Sequence, residues 1–328
     1  MAYTPAGNLT SSSQFNHLAT VYYDRTALKP LRKQFLFWMG CDDRVMPLKN
    51  GKTIQFYRYS NLGANTTADT SEGAVGSPIS MAGTSVVTAT VAQYTDFTSL
   101  SDMLVDTAID GDIVAVAADQ LGYRAGLTFD TIVRNVVDAA AASIDISPLG
   151  DYLSGMDLAN IRTRFRGLDI KGFRNGMFPT IIHPYVSYDL IHDPQVGGFM
   201  DVNKNGPQAG KLQNLPETGK LLSFNNCDVF ESTNVTVVSG TPNKYRCYFF
   251  GQEGVAAIDL AGRGPTRTKD QDQTQFRINV QKNLGPSLAS PEGKIRAFAS
   301  YNVVFVAKLL DTSNYRVRKI DAPTSLGL

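Results

Sequence analysis

KTIQFYRYSNLGANTTADTSEGAVGSPISMAGTSVVTATVAQY, residues 52–94, holds two strand patterns around a polar middle. In residues 52–60, Ile54, Phe56 and Arg58 alternate with Gln55, Tyr57 and Tyr59, the two-residue period of a strand. Residues 86–94 read as a second strand. The stretch between them, 61–85, is dominated by Asn, Gly, Ala, Thr, Ser, Asp and Pro and cannot build a core. Irregular connections longer than about 12–15 residues are uncommon in compact domains and usually carry a function. A long two-stranded arm with a polar tip accounts for all three pieces. Such an arm is poorly stable alone, so it is expected to lie on a partner. Ile54, Phe56, Tyr57, Tyr59 and Val91 are the candidates for contact with a neighbouring subunit.

On the N-terminal side, residues 1–20 are rich in Ser, Thr and Asn and read as a draped arm. Residues 21–39 differ: Tyr22, Tyr23, Leu28, Leu31, Phe35, Leu36, Phe37 and Trp38 must be buried somewhere, on their own domain or on a neighbour. Tyr22 and Tyr23 join the candidate contact residues.

On the C-terminal side, residues 98–142 read as helix. Thr98 or Ser99 is placed to cap a short first helix, and Asp110, Gly111 and Asp112 interrupt it. In the longer helix, Ile113, Val116, Leu121, Phe129, Ile132, Val133, Val136 and Val137 recur at spacings of three and four. Asp119, Arg124, Asp130, Arg134 and Asp138 are assigned to its polar side, and Gly122 and Gly126 weaken it or let something pack closely. Ser154 followed by Asp157 resembles a capping box. Beyond it, FPTIIHP (178–184) reads as a buried strand, 185–192 as a short helix, and 195–220 as a polar, Gly-rich excursion. Short strands follow in 227–233, 236–238, 245–250 and 255–260, then a surface loop over 261–275 and a strand in 276–281. RAFASYNVVFVAKLL (296–310) is the strongest strand pattern in the chain, and YRVRKI (315–320) reads as a last short one.

The composition excludes several classes. Hydrophobic residues make up 43%, enough for a core, while charged residues make up 19%, below the usual ~25%. The net charge of +1 comes without a basic stripe, so binding of nucleic acid by charge alone is not expected. Cys41, Cys227 and Cys247 are odd in number and lack CxxC spacing, which argues against a disulfide framework or a zinc ribbon. The N-terminus has no basic start followed by an apolar run, so no signal peptide is expected, and no run of about 18 apolar residues is present.

The three histidines are His17, His183 and His192. His183, Asp189, His192 and Asp193 match no standard ligand spacing, and neither Cys227 nor Cys247 has flanking sequence that makes a nucleophile pair. No GxSxG, no Walker loop and no dinucleotide fingerprint occurs. No cofactor, metal or catalytic residue is expected. Arms, a long helix, a mixed α/β region and no active site favour an assembly protein over an enzyme.

Several stretches, in this order, resemble the N4-type major capsid family of tailed bacteriophages, whose members have the HK97-like fold. They are YYDRTALKPLRKQFLFWMGCDDRVMPLKNGKTIQFYRYSNL (22–62), TSEGAVGSPISM (70–81), AQYTDFTSLSDMLVDTAID (92–110), FPTIIHPYVSYDLIHDPQ (178–195), CDVFESTN (227–234), YFFGQEGVAAIDLAG (248–262) and the end from Gly285 through SYNVVFVAKLLDTSNYRVRKI (300–320). The resemblance covers nearly the whole length, although 195–220 and 261–275 are less family-like.

It implies an α+β, HK97-like fold. An N-terminal arm would occupy 1–50 and an extended β-hairpin loop 51–95. A peripheral domain with a spine helix would take 96–150, a mixed α/β axial domain 151–290, and C-terminal strands returning to the peripheral domain 291–328. It also implies self-assembly through hexamers and pentamers into an icosahedral shell around double-stranded DNA, which is touched non-specifically. A portal is implied, with cement, decoration or scaffold proteins as further partners. The setting implied is the virion capsid, put together in the host bacterial cytoplasm, with no membrane. An encapsulin-like shell protein, another virion structural protein and a soluble α/β enzyme are the alternatives.

Overall fold

The computed structural model describes residues 35–66, 73, 78–81, 83–107, 113–139, 152–173, 176–193, 220–261, 278–281, 296–311 and 315–326. The draped arm, the segment after it with Tyr22 and Tyr23, part of the hairpin's polar tip, the far end of the long helix and nearly all of the 195–220 and 261–275 stretches lie outside the described residues. After a 3-10 turn at Phe37–Gly40 the elements are β1 (Asp42–Met46), β2 (Thr53–Tyr59), β3 (Thr84–Thr90), β4 (Ala92–Ser101), α1 (Asp102–Thr107), α2 (Ile113–Asp138) and α3 (Gly155–Gly167). There follow β5 (Phe178–Ile182), α4 (Pro184–Ile191), β6 (Lys220–Phe224), β7 (Cys227–Glu231), β8 (Val237–Val238), β9 (Lys244–Phe250), β10 (Val255–Leu260), β11 (Ile278–Gln281), β12 (Arg296–Leu309) and β13 (Val317–Pro323).

Two sheets organise the chain. In the first, β12 pairs with β4 along Arg296↔Ser101 to Phe305↔Ala92, and on its other side with β11 over Phe298–Tyr301 and with β10 over Phe305–Leu309. β1 runs parallel to β10 and forms an outer edge. The second runs β13-β9-β5-β7-β6, with β8 also on β9, and its β5–β7 pair is parallel. Asn225 and Asn226 both take positive φ in the two-residue turn between β6 and β7, a conformation that Asn tolerates and that suits the strand twist. β2 and β3 make the separate hairpin, in register from Thr53↔Thr90 to Tyr59↔Thr84.

The apolar periodicities explain the layers. Leu121, Ala125 and Phe129 of α2 meet Ala299, Tyr301, Val303 and Phe305 of β12 on one face of the first sheet. On its other face, Met46, Ala89, Ala256, Ile258 and Leu310 gather with the partly buried Ile54, Phe56 and Val91. The largest core joins α3, α4 and the end of α2 to the second sheet. The capping box at α3 is present: the Ser154 side chain accepts from the Asp157 N–H, and the Asp157 carboxylate accepts from the Ser154 N–H at 2.9 Å.

Four expectations are corrected. The 86–94 strand is two strands that part at Val91, because Val91 N–H still bonds Lys52 O in the hairpin while Ala92 opens the ladder to β12. Thr98 and Ser99 do not cap a helix. They pair with Ala299 and Phe298, since β12 offers a ladder as far as Ser101, and the Ser101 hydroxyl accepts the Leu104 N–H at 3.3 Å. Of the C-terminal strands in 291–328, expected to return to the peripheral domain, β12 pairs with β4 and β10 in the first sheet, whereas β13 lies on β9 in the second. The exchange happens at the turn of residues 251–254, where Gly251 N–H bonds Arg316 O and Leu310 N–H bonds Gly254 O.

The fourth concerns α2. Asp130 is only 2% exposed and accepts from Phe37 N–H (2.8 Å) and Asn234 Nδ2 (2.7 Å). Arg134 donates to Asn234 O at 3.1 Å, and Asp138 accepts from Arg246 (3.2 Å), Tyr248 (2.9 Å) and Thr236. Residues four apart share a helix face. Asp130, Arg134 and Asp138 therefore form a polar seam between α2 and the second sheet, not a solvated side.

Candidate assembly surfaces

The hairpin has two unlike faces. Ile54, Phe56 and Val91 pack on the chain's own first sheet, and Arg58 reaches Asp311 at 3.3 Å. These three apolar candidates serve the subunit's own core. The sequence pattern marked them as needing cover without revealing that β10 and β12 supply it. Tyr57 and Tyr59, at 60% and 63% exposed, point the other way, with Val86 exposed opposite Tyr57. The strand period places them there, and the Tyr57 hydroxyl donates to Gln55 Oε1 at 2.7 Å.

A second exposed apolar surface was missed by sequence reasoning. β4 ends at Ser101 and α1 follows, presenting Phe97 (67% exposed), Met103 (78% exposed) and Leu104. The available signal was the alternation Tyr94, Asp96, Thr98, Leu100 against Phe97 and Ser99, which the helix assignment over 98–142 concealed.

The polar groups considered for chemistry are engaged elsewhere. His183 caps α4, its Nδ1 accepting from Tyr185 N–H at 3.1 Å, and stacks on Tyr245 at 4.3 Å. His192 Nδ1 lies 2.8 Å from Tyr188 O, Asp189 accepts from Ser325 N–H at 3.1 Å, and Asp193 accepts from Gly155 N–H at 3.0 Å. Among the described residues no group of three His, Cys, Asp or Glu is placed to hold a metal. All three thiols are buried; burial pushes Cys227 up to about 12 and raises Cys41 and Cys247 as well, so none is a ready nucleophile. A cleft of about 390 Å³ between Arg58, Lys171, Glu253, Asp311 and Arg316 is lined by ion pairs, Arg58 with Asp311 and Arg316 with Glu253 at 2.7 Å. What the surface offers is contact area.

No helix among the described residues is long and apolar enough to cross a membrane. The capsid of cyanophage P-SCSP1u is 15% identical, covers 99% of this chain and 100% of its own, and superposes with a TM-score of 0.66. The capsid of Ralstonia phage GP4 is 12% identical over 94% of this chain and 96% of its own, TM-score 0.62. The SrpI encapsulin of Synechococcus elongatus PCC 7942 is 10% identical over 97% of each chain, TM-score 0.52. These likenesses give the fold, α+β and HK97-like. A comparison with curated proteins finds no match. Residues 84–296, from the hairpin's return strand through α2 and β11 to the start of β12, match the family model described as phage capsid protein, and the chain belongs to that family.

Proposed function

We infer that this chain is the major capsid subunit of a tailed bacteriophage, assembling through hexamers and pentamers into the icosahedral shell around double-stranded DNA. Its work is structural, with no catalysis. The observation that carries the reading is the family match, which runs from β3 through the long helix to the start of β12. Residues 22–62, 178–195 and 300–320 favour the N4-type branch. Assembly is proposed to take place in the host cytoplasm, with a portal and with scaffold or cement proteins as partners. A net charge of +1 suits a wall that tolerates packaged DNA and spends its contacts on neighbours. Residues 51–95 act as the extended loop, and Tyr57 and Tyr59 are proposed to lie on an adjacent subunit. Tyr22 and Tyr23 are proposed as further contacts from the N-terminal arm.

Deleting residues 61–85 tests this. The deleted stretch lies beyond the ladder of β2 and nearly all outside that of β3, so the hairpin base on the first sheet is retained. Circular dichroism should match the parent while sedimentation shows no large particles. Normal shells after the deletion would refute the role given to the hairpin.

A further inference from the structure

β4 is an edge strand whose sequence is matched to itself, and we propose that it pairs antiparallel with β4 of a second copy of this chain, across a two-fold axis centred on Phe97. The proposal rests on the shell-subunit reading above. Residues 93–101, QYTDFTSLS, have similar chemistry in both directions from that centre. Set antiparallel, Tyr94 falls opposite Leu100, Asp96 opposite Thr98, Thr95 opposite Ser99 and Gln93 opposite Ser101, with Phe97 opposite its own copy. Apolar meets apolar and polar meets polar at every step, and no like charges stand directly opposite each other.

The fold leaves the strand's outer side open for this. β4 pairs only with β12 among the described residues, and the ladder runs from Ala92 to Ser101 without a shift of register. Phe97 N–H is met by the Asp96 carboxylate of its own strand, at 3.1 Å, and not by β12. Backbone groups alternate in direction along an antiparallel ladder, so those of Gln93, Thr95, Phe97, Ser99 and Ser101 turn away from β12. In the register centred on Phe97 these same residues lie opposite one another, placed to exchange N–H and C=O bonds across the axis.

The side chains agree with the backbone. All five of those residues are exposed, Phe97 at 67%, and none is charged. Open edges are normally guarded by charge, proline or a bulge, and the outer face of β4 carries none of these. The strand's single charge, Asp96, lies among the half-buried residues of the other face, where Arg124 of α2 holds it at 2.5 Å. Pairing brings two such ion pairs together, two carboxylates with two guanidinium groups, so charge balances across the axis. A second copy is thus the occupant that matches in register, polarity and charge. The contact is isologous, the kind a two-fold axis makes. Rings of six and five close on themselves and need a further contact to join ring to ring, which a two-fold pair of edges supplies.

The test places a thiol on the axis. The three native cysteines are buried, so Phe97→Cys adds an exposed one to the full chain. Opposed Cα atoms of a hydrogen-bonded pair lie about 5.5 Å apart, within reach of a disulfide. Mild oxidation should give a covalent dimer on a non-reducing gel, reversed by dithiothreitol. Thr95→Cys alone should give none, since its two copies lie roughly 14 Å apart in this register. Assembled particles of Phe97→Cys that stay monomeric on the gel overturn the proposal, as does an equal yield of dimer from Thr95→Cys. Phe97→Lys sets two like charges on the axis, so in electron microscopy rings should persist while closed shells are lost. Closed shells at the parent's yield overturn the pairing. Should the parent itself form neither rings nor shells, the shell reading fails separately. Oxidation of the concentrated soluble Phe97→Cys chain then decides the pairing: a dimer supports it and a monomer overturns it.

Discussion

Gly40 ends the 3-10 turn against the fully buried Phe250, and a Cβ built on it would lie 2.5–2.7 Å from three atoms of that ring. The ring is core on all sides and has nowhere to retreat. Gly40→Ala should therefore destabilise by about 1–3 kcal/mol, the usual cost of overpacking, read as an earlier denaturant midpoint. Asp130 makes a prediction about pH. Burial, foremost, raises its carboxyl above the ordinary range, against bonds from Asn234, Phe37 and Leu36 and the charge of Arg134, which lower it. A raised folded value means that the folded state holds the proton more tightly than the unfolded chain. The stability gained this way is full below the unfolded carboxylate pKa of about 4 and is lost as pH rises through the folded value. The stability of the parent relative to Asp130→Asn should then fall as pH rises from about 4. A difference that is flat with pH, or grows, would count against a buried carboxyl. Sequence reasoning put Asp130 on the polar side of a helix, and the residue type allows nothing better. Its burial depends on Phe37, 93 residues earlier, and Asn234, 104 residues later, donating to it.

At the scale of elements, local patterns were legible where one element carries its own period. The alternation of β2, the apolar stripe of α2, the capping box of α3 and the long β12 can each be read from neighbouring residues. What escaped reading depends on partners distant in sequence. β4 keeps the ladder through Thr98 and Ser99 because β12 lies beside it, and β13 pairs with β9, about 70 residues earlier. The hairpin shows both sides of this. Its alternation was legible, but which face would need a neighbour was not, since the cover over Ile54 and Phe56 comes from residues about 200 and more further on. With that cover known, the outer face becomes the one to test. Tyr57→Ser with Tyr59→Ser removes two exposed rings and no core contact, so the unfolding midpoint should stay within about 0.5 kcal/mol of the parent, as for surface changes generally. Particle yield should fall. Equal yield would move the contact elsewhere on the hairpin, and a large loss of stability would mean that the rings serve the subunit itself.

The whole molecule is arranged as two sheets held by one helix. The first half of α2 packs apolar residues on β12, and its last turns bind the second sheet through Asp130, Arg134 and Asp138. Twenty-six residues at about 1.5 Å each make a rod of roughly 39 Å, long enough to fix the two sheets in one body. Around that body, exposed apolar side chains include Tyr57, Tyr59 and Val86 on the hairpin's outer face, Val45 and Leu48 at and after β1, and Phe97, Met103 and Leu104 where β4 meets α1. The central claim is that copies of this chain close into a shell. Electron microscopy of the purified full-length protein tests it most directly, at rising concentration and moderate salt. Closed particles, or rings of six and five subunits, are predicted; a population that stays monomeric at every concentration would contradict the account.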